Sequence, residues 1–443
     1  MDAIVTVDLG FGDSGKGTMV DYLCESREAD WVVRYNGGAQ CAHNVKAGDF
    51  QHCFSQFGSG SRIPKVKTYL SRHVLCNPIS LIDEARILKE KGIDDAFSKV
   101  WIDPNTPIIT PYHVWANRAR ERARGLDKHG SCGKGIGELA GDIHYGMNDV
   151  IRAKELHDCR DKLEAIRSRK LAELKMIGLD PCELDLPRTD PLMRMVIDDP
   201  IDLASAYSTM TTALQITQPM IDGTVVFEGA QGILLDEWFG TYPFNTWSSI
   251  APIQIPALLD EMNPETCETI GIMRAYMTRH GKGPLPTEVP SNQIWHNHEC
   301  NCSNKWQDQF RFGWPDFVLW DYALQVCEKI LHVDSLAVTC LDTFNHQFIK
   351  ICNLYKIKAS GQAVGKLGPL SLPNLEQQIY FTQFLLEKIE PVFTYEIIDA
   401  DDFCIITEKM LEKPIRYRSF GPDVSQKVTL DISGDICYNS NMN

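Results

Sequence analysis

A glycine-rich segment near the N-terminus constrains the fold of this chain more than any other part of the sequence. Residues 4–23 read IVTVDLGFGDSGKGTMVDYL, with four glycines between Gly10 and Gly17. The β-forming run before the glycines predicts a strand, and Met19 and Leu23 after them fit a helix. A loop between a strand and a helix points backbone N–H groups and the positive end of the helix dipole at an anion. The segment therefore predicts a site for a phosphorylated ligand.

The glycines fit two phosphate-binding patterns that differ in their chemistry. Residues 10–15 match the G-x-G-x-x-G spacing of dinucleotide loops, whereas residues 10–16 begin the G-x-x-x-x-G-K spacing of triphosphate loops. Lys16 favours the second pattern, because an ammonium group suits β- and γ-phosphate charge. Gly17 stands where a triphosphate loop has a magnesium-binding hydroxyl, so Asp13 could supply the metal ligand instead. A glycine-rich turn without a ligand is the alternative for this segment taken alone.

Chain length and composition limit the class of protein. The 443 residues suffice for one large α/β domain or two ordinary ones, and 44% apolar residues are typical of a globular protein. No apolar run approaches the roughly 18 residues of a membrane span. A strand next to Met1 leaves no room for a signal peptide, so we expect a cytoplasmic protein whose 15 cysteines are reduced. The net charge of -15 argues against non-specific binding to nucleic acid or anionic membranes.

The second predicted strand leads into another glycine-containing loop. Residues 30–35 read DWVVRY and are followed by NGGAQCAHNV, which places His43 on a loop. A histidine beside a phosphate site is a candidate for acid–base chemistry. A dinucleotide fold would have an acid at the end of this strand to meet the ribose, whereas the sequence has Arg34. This difference weakens the dinucleotide alternative.

Two further predicted strands deliver polar side chains to their carboxyl ends, where open α/β sheets bind ligands. The run at 224–232, TVVFEGAQG, carries Glu228 and Gln231, and Thr246 follows as a further polar contact. The run at 335–342, SLAVTCLD, ends in a carboxylate. Such an aspartate can accept hydrogen bonds from N1–H and the 2-amino group of guanine, or it can be an ordinary loop acid.

Helical periodicity and turn residues organise the remaining chain. Residues 79–91 predict an amphipathic helix, and residues 151–177 predict a charged helix packed on the body of the protein. A basic glycine-rich loop with Ser131 and Cys132 could hold a second phosphate. The Pro-rich stretch 181–191 is interpreted as a connector rather than a domain boundary.

Four side chains of metal-binding type lie close together in the segment WHNHECNC: His296, His298, Cys300 and Cys302. Their spacing matches none of the usual zinc sites. We therefore expect reduced cysteines in this loop rather than a metal centre.

Several separated motifs, in their order along the chain, resemble those of the adenylosuccinate synthetase family: GFGDSGKGT, RYNGGAQCAHNV, FEGAQGILLDEWFGTYPFNT, RAYMTRHGKGPLPTE, FGWPDFV, VTCLD and SFGPD. The resemblance implies one α/β catalytic domain around a mostly parallel sheet, over residues 1–430, and a polar tail over residues 431–443. It also implies a homodimeric carbon–nitrogen ligase of purine biosynthesis that uses GTP and Mg²⁺ to join aspartate to IMP.

The resemblance also implies roles for individual residues. Asp13 would be the general base and a Mg²⁺ ligand, with the Ala42 carbonyl as the second protein ligand. His43 would assist the leaving phosphate, and Lys16 would hold the phosphoryl group in transit. The GTP site would comprise Gly12, Ser14, Gly15, Lys16, Gly17, Cys340, Asp342, Ser419 and Gly421. The purine-monophosphate site would comprise Gln40, Ser131, Cys132, Gln231 and Thr246.

The chain departs from the family pattern at several positions. Ser14 replaces a glutamate, and Cys340 replaces the lysine of the guanine motif. The loop that clamps the aspartate carboxylates keeps only Lys305 and Arg311, and no arginine near Gly146 matches the one that reaches across the family's dimer. Since an arginine fork is not replaced without loss, the sequence supports phosphoryl transfer more strongly than the choice of amine.

Three alternatives are left open by the sequence. The first is a specialised relative that uses another 6-oxopurine nucleotide, such as a 2-aminoadenylosuccinate synthetase, or a different amine. The second is an NADP-dependent oxidoreductase, and the third is a non-catalytic nucleotide-binding paralogue.

Overall fold

A computed structural model describes residues 1–125, 130–179, 200–295, 309–397, 399–430 and 436–437. Its strands are β1 (Asp2–Asp8), β2 (Trp31–Arg34), β3 (His43–Ala47), β4 (Phe50–Phe54), β5 (Lys67–Leu70), β6 (Val100–Ile102), β7 (Gln215–Ile216), β8 (Thr224–Glu228), β9 (Thr266–Arg274), β10 (Met277–His280), β11 (Glu288–Val289), β12 (Phe310–Gly313), β13 (Ser335–Thr339), β14 (Ile349–Ile357), β15 (Ala363–Val364), β16 (Ile389–Ile397), β17 (Ile415–Ser419), β18 (Lys427–Leu430) and β19 (Ile436–Cys437). Its α-helices are α1 (Lys16–Ser26), α2 (Pro78–Glu90), α3 (Pro111–Arg124), α4 (Ile136–His144), α5 (Arg160–Met176), α6 (Pro200–Thr211), α7 (Ile255–Met262), α8 (Phe317–Glu328), α9 (Leu375–Gln383) and α10 (Ala400–Leu411).

One large sheet organises the described part of the chain. Its strand order is β19-β18-β17-β13-β9-β1-β8-β2-β5-β6-β7. All neighbours from β17 to β7 pair in parallel, and β18 and β19 add an antiparallel edge. Two small antiparallel sheets, β10-β12-β11 and β15-β14-β16, and the hairpin β3-β4 lie outside it. The predicted α/β class with a mostly parallel central sheet is confirmed.

The first strand lies at the centre of this sheet, between β8 and β9. Every residue of β1 after Asp2 is buried. Val5 and Val7 pack into one apolar cluster, whereas Ile4 packs on the other face with Met19 of α1. Burial on both faces explains why this strand reads as a nearly continuous apolar run rather than an alternating one.

The two predicted helices form, with shifted bounds. Helix α2 covers the predicted 79–91 within one residue, and the Asn77 side chain caps it by accepting from Ser80 N at 3.2 Å. The predicted helix at 151–177 is shorter: a 3₁₀ segment at Ala153–Asp158 precedes α5. Ile177 lies beyond the end of α5 and is 54% exposed, so its apolar spacing did not indicate packing.

Some expectations fall on residues that the structure does not describe. The connector at 181–191 lies outside the described residues, and so do His296, His298, Cys300, Cys302 and Lys305. Two residues of the polar tail, Ile436 and Cys437, pair with Leu430 and Thr429 at the edge of the sheet. Among the described helices, none combines the length and the apolarity needed to cross a bilayer.

The parallel topology brings the functional segments to one edge of the sheet. The carboxyl ends of β1, β2, β8, β9, β13 and β17 all face this edge, because parallel strands run in the same direction. A cavity lies there, which we call the central cavity, and its lining includes Asp13, Lys16, His43, Gln231 and Asp342. Residues more than 300 positions apart in the sequence therefore meet in one site.

Candidate active site

The loop between β1 and α1 is held by a buried carboxylate at the end of the strand. Asp8 accepts from Gly10 N at 2.8 Å, Ser14 Oγ at 2.8 Å and Lys16 Nζ at 3.1 Å. Ser14 is buried and is not among the residues that line the central cavity, although the sequence assigned it to the GTP site. In this structure Ser14 anchors the loop. Gly12, Gly15, Lys16 and Gly17 do line the cavity.

Lys16 begins α1 at the wall of the cavity. Its ammonium donates to the Gln231 carbonyl at 2.7 Å as well as to Asp8, and the residue is only 4% exposed. The fixed ammonium and the amino end of the helix give this part of the cavity a positive character. The position suits a phosphoryl group, as the sequence predicted.

Gly17 allows α1 to approach the strand that carries the catalytic candidate His43. A Cβ at Gly17 would lie 2.6 Å from the His43 Cβ and 2.9 Å from its Cα. No side chain fits in that gap without moving one of the two elements. The contact explains why the sequence has glycine where a triphosphate loop has a hydroxyl residue.

We expect Gly17→Ala to push His43 away from its position and to lower turnover by about 10²-fold, the cost of misplacing a catalytic group by about 1 Å. The measurement is steady-state phosphate release by the purified variant. Gly368→Ala is the control, because a Cβ at that glycine would have no heavy atom within 4 Å. Equal turnover in both variants would show that the close contact has no functional role.

His43 is held in place by a buried glutamate. Its Nδ1 lies 2.5 Å from Glu228 Oε1, and Glu228 also accepts from Ser59 N at 2.9 Å and from the Ser59 hydroxyl. Burial opposes the charge on Glu228, yet Arg34, His43 and Ser59 together lower the pKa of its carboxyl to about 2. Burial also lowers the pKa of His43, against the opposing pull of Glu228. Glu228, which the sequence placed at a ligand-binding edge, therefore orients the imidazole instead.

Asp13 projects from the loop into the same cavity. It has a positive φ of 56°, a conformation that few non-glycine residues adopt, and its side chain is 33% exposed. His280 Nε2 at the end of β10 lies 3.3 Å from Asp13 Oδ2 and lines the cavity as well. The sequence did not single out His280, since its contact with Asp13 joins segments far apart in the chain.

Left-handed backbone is concentrated at the cavity. Of the six described non-glycine residues with positive φ, three line it: Asp13, Gln231 and Cys340. Such conformations cost about 1 to 3 kcal/mol each and persist where the surrounding structure imposes them. Their clustering supports a functional role for this cavity.

The carboxyl ends of β13 and β17 form the far wall of the cavity. Cys340, Asp342, Ser419 and Gly421, all predicted for guanine recognition, line it. Burial raises the pKa of the Asp342 carboxyl. Trp295, which the sequence did not indicate, lines the same end.

The residues predicted for the purine monophosphate divide into two groups. Gln40 and Gln231 line the cavity, and Gln231 Nε2 donates to Thr246 Oγ1 at 2.7 Å, which places Thr246 behind it. Ser131 and Cys132 are not among the lining residues, and the Ser131 hydroxyl donates to Asn117 Oδ1 at 3.0 Å. The structure brings three of the five predicted residues together.

Arg311 lies outside the lining of the central cavity. Its guanidinium pairs with Glu288 and donates to the carbonyls of Gly281 at 2.9 Å and Gly283 at 2.8 Å. It borders a separate shallow pocket with Lys282 and Gln309. The predicted amine-binding role of Arg311 would require these contacts to be exchanged for a carboxylate.

The cavity has the ligand types of a magnesium site. Mg²⁺ prefers oxygen ligands and is commonly bound through one or two carboxylates together with substrate phosphates. Asp13 and Ala42 line the cavity, and a carboxylate and a backbone carbonyl are oxygen ligands of this kind. Among the described residues no group of three or more His, Cys, Asp and Glu side chains could hold a metal by itself.

The fold and the cavity together define an enzyme that acts on a nucleotide phosphate, because a helix amino end, a buried lysine and an oriented imidazole converge where α/β sheets bind ligands. The family model described as adenylosuccinate synthetase matches residues 5–428. The chain belongs to the adenylosuccinate synthetase family, and its reaction is the GTP-dependent ligation of aspartate to IMP. The family resemblance and the ligase class predicted from the motifs are thereby confirmed.

Individual relatives agree with this assignment. An adenylosuccinate synthetase of Clostridium botulinum (strain Eklund 17B / Type B) is 30% identical over 425 residues, which cover 93% of this chain and 91% of the relative. The structure of fully ligated adenylosuccinate synthetase from Plasmodium falciparum has a TM-score of 0.75 at 20% identity and covers 97% of this chain and 99% of that one.

A second solved structure is more distant. Cyanophage S-2L succinoaminodeoxyadenylate synthetase, bound to dGMP and to dATP as an energy donor, has a TM-score of 0.54 at 15% identity. The match covers 98% of this chain and 97% of that one. At such identities the two structures support the shared fold alone.

Proposed function

We propose that the central cavity is the site where this chain joins aspartate to C6 of IMP, with Asp13 as general base, Lys16 holding the transferred phosphoryl group and His43 assisting the leaving phosphate. The supporting observation is that these three side chains line one cavity, although they come from two separate loops at the carboxyl edge of the sheet. Acid–base and charge-stabilising groups in one cavity are what a two-step phosphoryl-activated reaction requires.

The first step activates the purine. The oxygen at C6 is amide-like and a poor leaving group, so it must be phosphorylated before an amine can displace it. Asp13 removes the proton from N1, the resulting charge moves to O6, and O6 attacks the γ-phosphorus of GTP. The bond between the γ-phosphorus and the bridging oxygen breaks, and GDP leaves. Lys16 and the amides at the start of α1 neutralise charge on the transferred group.

The second step replaces the phosphate by the amine. The aspartate nitrogen attacks C6, the bond between C6 and the phosphorylated oxygen breaks, and inorganic phosphate departs. His43 donates to the departing phosphate from Nε2 as the imidazolium, because its Nδ1–H is already held by the Glu228 carboxylate. That carboxylate favours the charged form against the effect of burial, and the negative charge of the phosphate favours it further. Glu228 therefore acts as a positioning residue that fixes which nitrogen faces the cavity.

Magnesium would be held by Asp13 and the Ala42 carbonyl, together with phosphate oxygens, and it would supply charge neutralisation at the γ-phosphate. Asp342 would accept from N1–H and the 2-amino group of guanine, with Ser419 and Gly421 beside it. Gln40, Gln231 and Thr246 would contact the purine monophosphate.

The choice of amine depends on a segment outside the described residues together with Arg311. Aspartate is the amine of the family's reaction, and we infer a homodimer from the family as well. A 6-oxopurine with a 2-amino group is the second candidate substrate.

A substrate screen tests the proposal. The purified chain is incubated with GTP, Mg²⁺ and each pairing of IMP, GMP or dGMP with aspartate or other amino acids. Phosphate release and the mass of the adduct are then measured. We expect release with IMP and aspartate, and an adduct whose mass corresponds to adenylosuccinate. An adduct formed only with GMP or dGMP would favour the second candidate, and GTP consumption without any adduct would contradict ligation.

A further inference from the structure

Arg274 is a buried cation in the wall of the central cavity for which the reaction steps above give no role. It ends β9 and lies opposite Thr339 of β13 in the sheet register. That register places it next to Cys340 and close to Asp342, the residue proposed to read guanine. Arg274 is 8% exposed.

The guanidinium of Arg274 has weak partners. Its Nη2 donates to the Tyr276 hydroxyl at 3.1 Å, its Nε donates to Cys340 Sγ at 3.3 Å, and its Cζ lies 4.8 Å from the centre of the Tyr276 ring. Its Nη1 is buried and has no hydrogen-bond partner among the described residues. A buried donor without a partner is costly, so a ligand acceptor at this position would remove a penalty.

A second buried arginine, which does not line the central cavity, shows the contrast. Arg279 donates to the carbonyls of Lys282, Pro284 and Phe244 and to the Thr241 hydroxyl. Those contacts use its nitrogens to hold the loop that follows β10. In Arg274, by contrast, Nη1 makes no hydrogen bond to the described residues, so this nitrogen is left for a ligand.

We propose that Arg274 recognises the base of the nucleoside triphosphate by donating from Nη1 to the O6 acceptor of a 6-oxopurine ring. This inference rests on the proposed function, because it takes the Asp342 end of the cavity as the guanine site. An arginine donating to O6 and N7 is a common way of recognising guanine. Asp342 then contacts the N1 and N2 donors of the same ring, and the two residues read adjacent parts of its edge.

Adenine conflicts with both residues. It presents an amino group where guanine has O6, so two donors would face each other at Arg274. Its N1 carries no proton, so Asp342 would face an acceptor. Selectivity therefore comes from groups left unpaired by the wrong base, which gives stronger rejection than a difference in size alone.

The test is equilibrium binding of GTP, ITP and ATP, measured by calorimetry without IMP or aspartate. ITP keeps O6 and N7 but lacks the 2-amino group. We expect Arg274→Met to lower the affinity for GTP and the affinity for ITP by the same factor, about 10- to 100-fold. The affinity for ATP, which we expect to be weak already, should change little. Asp342→Asn should lower the affinity for GTP more than the affinity for ITP. Arg86→Met, at a position whose side chain is 69% exposed, should change none of them.

Equal weakening of GTP, ITP and ATP by Arg274→Met would overturn the proposal, because it would indicate a phosphate or folding effect. Tighter binding of ATP than of GTP by the unmodified chain would overturn it as well. If Arg274→Met does not fold, Arg274→Lys is the deciding variant. Lysine keeps the positive charge but lacks the planar guanidinium group, so we expect a loss of affinity for GTP and ITP only. Selective binding without ligase activity would contradict the proposed function and leave the role of Arg274 standing.

Discussion

Asp13→Asn is expected to lower kcat for phosphate release by about 10³-fold, within the range that general acid–base catalysis contributes. Asparagine has nearly the shape of aspartate but cannot take the N1 proton, so O6 does not become a nucleophile. It is also a weaker ligand for Mg²⁺ than a carboxylate. The measurement is steady-state phosphate release with IMP, aspartate and GTP, together with calorimetric GTP binding without Mg²⁺. We expect the affinity for GTP to change only a few-fold, since the loop amides and Lys16 are untouched.

The matched control is Asp49→Asn at the turn of the β3-β4 hairpin, where the residue is exposed and does not line the cavity. It removes the same charge close to the site in sequence and should leave kcat unchanged. Normal turnover in Asp13→Asn would contradict the base assignment. A loss of kcat and of GTP binding together would instead indicate that the glycine loop had lost its shape.

The candidate residues that the structure brings to the central cavity are those that follow strands closely. Asp13 lies on the loop after β1, Lys16 begins the helix after that loop, and Asp342 follows β13 by three positions. A parallel sheet carries such positions to one edge whatever the details of packing. Local motifs were therefore sufficient to place them at one cavity.

The residues that the structure places outside the cavity lining, and the one that the sequence missed, are positioned by tertiary contacts. Ser14 turns inward because Asp8 accepts its hydroxyl, and nothing in the motif distinguishes an inward serine from one that faces a ligand. Arg311 is engaged by Glu288 and by two carbonyls of a neighbouring loop. His280, at the end of β10, lies beside Asp13 although the two residues are far apart in the sequence. Neither the hydrophobic periodicity of a sequence nor the spacing of its motifs predicts such side-chain contacts.

The electrostatic order of the site follows from these long-range contacts. Negative charge at Asp8 and Glu228 is buried beneath the cavity and matched by Lys16, Arg34 and His43. The polar groups that face the cavity are thereby oriented before any ligand arrives. Preorganised groups do not have to reorient during the reaction, which is the main source of electrostatic catalysis.

Glu228 offers the sharpest test of this arrangement, because it touches His43 but does not line the central cavity. The carboxylate can only accept from Nδ1, so Nε2 is the nitrogen left for the phosphate. Glutamine at this position is neutral, so it no longer favours the imidazolium form of His43 that is needed to donate from Nε2. The same change leaves Arg34 without the buried charge that lies 4.0 Å away. Both effects act on the imidazole and its surroundings rather than on nucleotide contacts.

We expect Glu228→Gln to lower kcat by about 10³- to 10⁴-fold, the size of effect seen when the carboxylate behind a catalytic imidazole is replaced by its amide. The KM for GTP should change only a few-fold, because no predicted nucleotide contact is removed. Ser59→Ala is the matched control: it deletes a hydroxyl that donates to Glu228 but keeps the carboxylate, and its loss should be at least tenfold smaller. Turnover is to be measured per folded molecule, with the folded fraction taken from thermal melting. If Glu228 only stabilises the fold, the variant will melt at a lower temperature but its folded fraction will turn over normally, and the orienting role will be wrong.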